Sequence, residues 1–220
     1  MAKYIMRIIC ISDTHGQHHS LQLPQGDILI HAGDISTLGK AEEIEDFLTW
    51  YSQLPHPYKL FIGGNHDFYL EKEPELFELM VPKNCIYLND SMVEVEGIKI
   101  WGSPVTPFYH NWAFNRYPGD DIRKHWKLIS EDTDIVVTHG PPAGILDMTV
   151  REIAVGDEDL RKKITYIRPK YHIFGHIHEQ YGQIEQEGTT YINASYLDIR
   201  YRPSHPPVVI EYEKSVTGSR

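Results

Sequence analysis

The sequence predicts an α/β fold layered around two sheets, on three observations. Short apolar runs rich in β-branched residues recur along the chain, amphipathic helical stretches lie between them, and the chain ends in strands. The runs are Tyr4–Ile11, Asp27–His31, Lys59–Ile62, Ile98–Trp101, Asp134–Thr138 and His172–Phe174. Each is nearly continuously apolar, as expected of strands covered on both faces. Glu42–Leu54 sets Ile44, Phe47, Leu48 and Tyr51 on one side of a helix. Pro74–Met80 and Asp120–Ile129 are shorter helix candidates, and Asp157–Ile167 is another, with Leu160, Ile164 and Ile167 as its apolar side. Tyr181–Gln186 and Thr189–Asn193 flank Glu187-Gly188 and read as a hairpin. Pro206–Tyr212 reads as a final strand entered through prolines. The order in which the strands pair is left open.

At 220 residues, without a repeat or an evident linker, the chain suits one domain spanning 1–220. A hydrophobic share of 41% is enough for a sizeable core. The formal net charge of −10 repels polyanions and argues against long DNA or RNA as a partner. Cys10 and Cys85 cannot build a disulfide framework, and Cys10 sits in an apolar run as a core residue would. Met1–Cys10 lacks the apolar stretch and cleavage site of a signal peptide, and no run reaches the ~20 residues of a membrane span. A cytoplasmic location is expected.

Five polar motifs follow predicted strands: Asp13-x-His15, Gly33-Asp34, Gly63-Gly64-Asn65-His66-Asp67, Thr138-His139-Gly140 and Gly175-His176-x-His178. Loops beyond the carboxyl ends of strands are where α/β folds gather ligands, so residues distant in sequence can meet there. Singly, several motifs have plainer readings. Asp-x-His pairs are common, Asp34 could instead cap the following helix, and a lone histidine such as His139 is often only a turn residue. The Gly63–Asp67 segment is the most specific. Its glycines permit a tight turn, Asn65 offers a neutral oxygen ligand, and His66 beside Asp67 looks like an acid with an orienting carboxylate. His176 and His178, one residue apart, can bind one metal or two neighbouring ones. Together the motifs supply oxygen and imidazole ligands, without thiolate, in numbers sufficient for two metal ions, which points to attack on a phosphate ester. His18, His19, His56, His125, His172 and His205 read as surface or packing residues. His31 stays open, and His110 is a candidate to reach a substrate.

The ordered set from Asp13 to His178 resembles the calcineurin-like metallophosphoesterases. The segments Trp101–Pro104, Asn111–Asn115, Thr138–Ala143, Tyr171–Gly182 and Tyr191–Ser195 resemble the small metallophosphoesterase-domain-containing (MPPED-type) proteins in particular. The resemblance implies a four-layer α/β/β/α sandwich of the metallophosphoesterase type, with a two-metal centre at one edge. It implies that Asp13, His15 and His178 hold one metal, that Asn65, His139 and His176 hold the other, and that Asp34 bridges them. His66 would face the substrate with Asp67 orienting it. Some animal members have glycine where this chain keeps His176, so the ligand set here is complete.

A metal-dependent hydrolase acting on a small phosphoester is therefore expected. The resemblance suggests phosphodiesters such as cyclic nucleotides, cleaved by a hydroxide activated between two divalent ions. A phosphomonoesterase, a protein phosphatase, a nuclease or a non-catalytic scaffold would use the same fold. Mn²⁺ leads as the metal, with Fe and Zn²⁺ as alternatives that suit the same ligands. The oligomeric state is not readable.

Overall fold

The computed structural model describes residues 3–215. Its first half runs β1 (Lys3–Ile11), β2 (Ile28–Ala32), α1 (Ala41–Gln53), β3 (Tyr58–Ile62), α2 (Phe68–Lys72), α3 (Pro74–Met80), β4 (Ile86–Tyr87), β5 (Ser91–Val95) and β6 (Ile98–Ser103). The second half runs β7 (Thr106–Pro107), β8 (Asn115–Arg116), α4 (Asp120–Trp126), β9 (Ile135–Thr138), α5 (Glu158–Ile167), β10 (Tyr171–Phe174), β11 (Gly182–Gln186), β12 (Thr189–Asn193) and β13 (Val208–Ser215). Every predicted strand and helix is present, with ends moved by a few residues.

Two sheets form, ordered β13-β1-β2-β3-β4 and β11-β12-β10-β9-β6-β5. Within them β1–β4 run parallel, as do β6, β9, β10 and β12. The period-2 alternation of the strands divides the interior into three cores. Ile8, Ile28, Ile30, Leu60 and Ile62 face Ile100, Ile135, Val137, Ile173 and Ile192 in a core between the sheets. Their neighbours Ile9, Ile11, Leu29 and Phe61 face outward to meet Ile44, Phe47, Leu48 and Tyr51 of α1 and Phe77 of α3. On the other side Trp101, Val136, Phe174 and Tyr191 meet Ile122 and Trp126 of α4 and Leu160 and Ile164 of α5. The layers are helix, sheet, sheet, helix, as the resemblance implied. Continuous apolar runs follow directly, since both faces of each central strand are covered.

Side chains satisfy free amides at the starts of the two longer helices. Asp157 caps α5 by accepting from the Leu160 amide. At α1 the Glu43 carboxylate accepts from the amides of Thr37, Leu38 and Lys40. Asp34 therefore has no part in capping that helix. The sequence did not point to β5, an edge strand that forms a hairpin with β6. Glu96 and Gly97, both at positive φ, make its two-residue turn. Cys10 and Cys85 are buried and free. No helix among the described residues is long and apolar enough to cross a membrane.

All five motifs leave the same rim. Their loops follow β1, β2 and β3 in one sheet and β9 and β10 in the other. A bridge between Ser12 and Ser195, with the Tyr196 amide bonded to the Ser12 carbonyl at 2.8 Å, ties the two sheets together there.

Candidate metal centre

At the rim the backbone departs from extended geometry to turn ligands inward. Asp13, His15, Asp34 and His176 all adopt positive φ, between 41° and 68°. Few non-glycine residues do so, although Asp and His do it more readily than most. Backbone hydrogen bonds hold the turns: the Asp13 amide donates to the Gly33 carbonyl at 2.9 Å, and the His15 amide to the Asp34 carbonyl at 3.0 Å. Glycine is required where the ligands touch the chain behind them. A Cβ at Gly175 would collide with Asp13 Oδ2, and one at Gly64 with Asp34 Oδ1.

Two ligand groups result, Asp13–His15–His178 and Asp34–His139–His176, each with its ligand atoms within 4.8 Å of one another. Asp34 also groups with His15 and His66, so its carboxylate stands between the two. Its Oδ2 lies 3.5 Å from His15 Nε2 and 3.2 Å from His139 Nε2. Asn65 Oδ1 is 2.9 Å from the same His139 nitrogen. Asp13 Oδ1 lies 3.5 Å from His178 Nε2.

The donor chemistry fits divalent cations. His139 Nδ1 faces the Ala32 carbonyl at 3.0 Å, and His178 Nδ1 faces that of Asp198 at 3.1 Å. A carbonyl only accepts, so each Nδ1 carries hydrogen and Nε2 is turned into the centre, the usual second contact of a metal-ligating histidine. His15 is nearly fully buried, yet neither of its ring nitrogens has a hydrogen-bond partner. Burial pushes His15 and His176 down to about 4, leaving neutral imidazoles ready to ligate. Burial also acts on His139 and His178, but the carboxylates of Asp34 and Asp13 lift them to about 9. Against burial, which alone would raise them, His178 and His139 hold Asp13 and Asp34 respectively well below the usual carboxylate range. Two ionised carboxylates in a buried rim call for positive charge.

The calcineurin-like phosphoesterase family matches residues 6–180. The chain belongs to that family. It is accordingly a metal-dependent phosphoesterase, and it carries candidate ligand groups for metal ions. It is 40% identical to human metallophosphoesterase domain-containing protein 1, over 93% of this chain and 70% of that one. It is 35% identical to the Caenorhabditis elegans UPF0046 protein K07C11.7, over 95% of this chain and 76% of that one. Among solved structures, TT1561 of Thermus thermophilus has the same fold, with a TM-score of 0.61 at 16% identity over 94% of this chain and 98% of that one. The phosphopantetheinyl hydrolase of Mycobacterium tuberculosis also has it, with a TM-score of 0.61 at 14% identity over 88% and 90% of the two chains.

In this phosphoesterase the expected pairing of Asp67 with the His66 ring does not form. Asp67 is wholly buried and accepts from the amides of Ile35, Ser36 and Gly64 and from the Ser36 hydroxyl, binding the β3 loop to the β2 loop. Four donors leave its oxygens no freedom to reach an imidazole. Burial and the nearby Asp34 push it up to about 6. The His66 ring is held instead by the Thr37 carbonyl, 2.8 Å from Nδ1, and by Trp112, 4.3 Å between ring centres. His31 proves to be a buried packing residue bonded to Thr14 Oγ1. His110 is exposed and packs on Tyr109.

Three contributors had no role assigned from sequence. Ser195 Oγ donates to Asp13 Oδ2 at 2.7 Å, Asp198 holds His178 through its carbonyl, and the Tyr201 ring lies against His15 and His178 at 4.9 and 5.3 Å. The Tyr191–Ser195 and Asn111–Asn115 segments were visible only as resemblance.

Proposed function

We propose that the protein is a phosphodiesterase for small phosphodiesters, with cyclic nucleotides the leading candidates, working through a two-metal centre. The observation that carries this reading is the pair of ligand groups around one shared carboxylate, Asp34, with His66 at their edge. Asp13, His15 and His178 would hold one ion, and Asn65, His139 and His176 the other. Mn²⁺ is the leading choice, because hard oxygen ligands and imidazoles both suit it. When bound, the ions supply Lewis acidity toward the phosphate and make water a nucleophile at neutral pH.

The chain itself does the rest. Asp34 fixes the spacing of the two groups, and the His66 amide donating to its Oδ1 at 2.9 Å fixes the rotation of that carboxylate. With its Nδ1 hydrogen committed to the Thr37 carbonyl, His66 has only Nε2 to offer a substrate. A proton carried there can pass to the departing alkoxide, which is general acid catalysis. Trp112 packed on the ring keeps Nε2 from rotating away. The formal charge of −10 favours a compact substrate, since a long polyanion is repelled along its length whereas one phosphate meets only the metal centre.

The test is hydrolysis by metal-stripped protein reconstituted with each divalent ion in turn. The panel holds 3′,5′- and 2′,3′-cyclic nucleotides, matched aryl mono- and diesters, and single- and double-stranded oligonucleotides at fixed ionic strength. The proposal expects activity that returns with Mn²⁺ and is fastest, as kcat/KM, on the cyclic diesters. Faster turnover of monoesters or oligonucleotides would move the protein to the phosphomonoesterase or nuclease class. Full activity in protein that elemental analysis finds free of metal would end the metal reading altogether.

A further inference from the structure

A second cluster of ligand side chains lies outside the rim centre. The 3-10 turn His18–Ser20 presents adjacent histidines to Asp46 of α1. The His18 side chain is fully buried, yet neither of its ring nitrogens makes a hydrogen bond. Phe47 and Trp50 flank the ring at 5.6 and 4.9 Å between centroids, fixing its direction. That direction brings Nε2 to 3.1 Å from Asp46 Oδ2, close but out of line for a hydrogen bond. His19 Nε2 lies 3.1 Å from each oxygen of the same carboxylate. All three ligand atoms fall within 4.8 Å of one another.

A salt bridge between His19 and Asp46 accounts for half of this arrangement. It does not account for a buried imidazole that stands 3.1 Å from the same carboxylate without an aligned hydrogen bond. A cation between the three groups accounts for both. Tetrahedral Zn²⁺, with bonds of about 2.0–2.1 Å, places its ligand atoms roughly 3.3 Å apart, so the observed nitrogen–oxygen distances need little adjustment. Asp46 and His19 are 54% and 61% exposed, which leaves the outer side of the site open to water as a remaining ligand. Burial also keeps the His18 imidazole neutral, pushing it down to about 4.

We propose that His18, His19 and Asp46 form a separate divalent-cation site of the Zn²⁺ type on the surface of the protein. Two imidazoles and one carboxylate are a borderline ligand set that suits Zn²⁺ better than Mg²⁺ or Ca²⁺. A cation there ties the 3-10 turn to α1. The same stretch touches the rim of the phosphoesterase centre, because Gln17 Nε2 donates to the Tyr201 carbonyl at 2.9 Å and Ser20 Oγ meets Tyr196 Oη at 2.8 Å. Occupancy would brace the segment that follows His15.

The test removes the ligands one at a time and counts Zn²⁺. His19→Ala and Asp46→Ala change exposed side chains outside the phosphoesterase centre. Each is dialysed against buffered Zn²⁺ beside the parent chain and analysed for metal, with one Zn²⁺ fewer per chain expected in each variant. The comparison is repeated in an Asp34→Ala/His139→Ala background, which weakens the rim centre. There one Zn²⁺ should remain, and either substitution should weaken it by more than the ~10–100-fold that loss of a partner behind a metal ligand typically costs. Equal Zn²⁺ counts in parent and single variants overturn the proposal, whether or not the background variant folds. With Co²⁺ as the probe, the site should give the visible absorption of a tetrahedral ion, lost in His19→Ala. A spectrum unchanged by His19→Ala also overturns it.

Discussion

Replacing Ser195 by alanine should loosen the metal centre without touching a ligand. The hydroxyl is fully buried and donates to Asp13 Oδ2 at 2.7 Å, while the His176 amide reaches the same oxygen at 3.0 Å. Asp13 is ionised, so the lost bond is charge-assisted and contributes about 1.5–3 kcal/mol. Converted at RT ≈ 0.59 kcal/mol, that is a weakening of roughly tenfold to 150-fold in whatever depends on Asp13 being held in place. The loss of metal affinity usual for removing a group behind a ligand is ~10–100-fold, and the two routes agree. The assay is competitive metal titration of Ser195→Ala against the parent, with unfolding in urea beside it. Under the proposed two-metal centre, the ion that Asp13, His15 and His178 would hold should bind more weakly, and the ion on the Asn65 side should change little. Ser195→Cys, with a similar shape and a poorer donor, should fall between. If Ser195→Ala folds and binds both ions with parental affinity, Asp13 is held well enough without the hydroxyl, by the His176 amide and His178, and the reasoning fails.

Further outcomes follow from the same geometry. Asp34→Asn should cost more metal and more activity than Asp13→Asn, because Asp34 faces both ligand groups; a normal metal content and rate for Asp34→Asn would show that it bridges nothing. His66→Ala should keep its metals while kcat falls by about 10²–10⁴-fold, as for other acid–base groups. That fall should shrink for good leaving groups such as nitrophenolate, whereas an equal loss on all leaving groups would make His66 a phosphate-positioning residue. His172 is buried, bonded to Thr138 Oγ1 at 2.8 Å and pushed by burial from about 6.5 to about 3. A depressed pKa means that only the unfolded chain takes the proton as pH falls below 6.5, so stability is full above that value and is lost on acidification toward 3. The loss is at most about 1.4 kcal/mol per pH unit, and His172→Gln should flatten the slope of unfolding free energy against pH by up to that amount.

The fold was largely legible because the strongest signal, strands apolar on both faces, is also the physical cause of the layers. The edge strand β5 escaped because Glu94 and Ser91 break its apolar run, and an edge needs only one covered face. At the site, the motifs named candidate ligands because each of these residues sits one to four residues past a strand, where backbone direction is nearly fixed. Side-chain direction is a different matter. His66 and Asp67 are adjacent in sequence, which suggested a pair, yet the turn sends Asp67 inward to three amides and a hydroxyl while His66 stays at the mouth. Ser195 and Asp198 reach their partners across 182 and 20 residues respectively, through a rim that exists only after the two sheets pack. His18 and His19 looked like surface or packing residues because nothing local in sequence places Asp46 beside them.

What turns a set of motifs into a centre is the backbone. Four candidate ligands, Asp13, His15, Asp34 and His176, sit at positive φ, each at a cost of order 1–3 kcal/mol for a residue that is not glycine. Strain of that kind persists only where its surroundings over-determine it, and here they do. Asp13 and His15 donate their amides into the β2 loop, His176 donates its amide to Asp13, and Asp67 fastens the β2 and β3 loops together. The candidate ligands therefore support one another through backbone as well as side chain, so damage to a group that restrains two loops should spread along these bonds, whereas loss of one side-chain bond stays near a single ligand group. The expected order of damage follows: the Ser195 hydroxyl, which meets only Asp13, should affect one ion, whereas Asp67, which restrains the loops of both Asp34 and Asn65, should affect stability and both ions together.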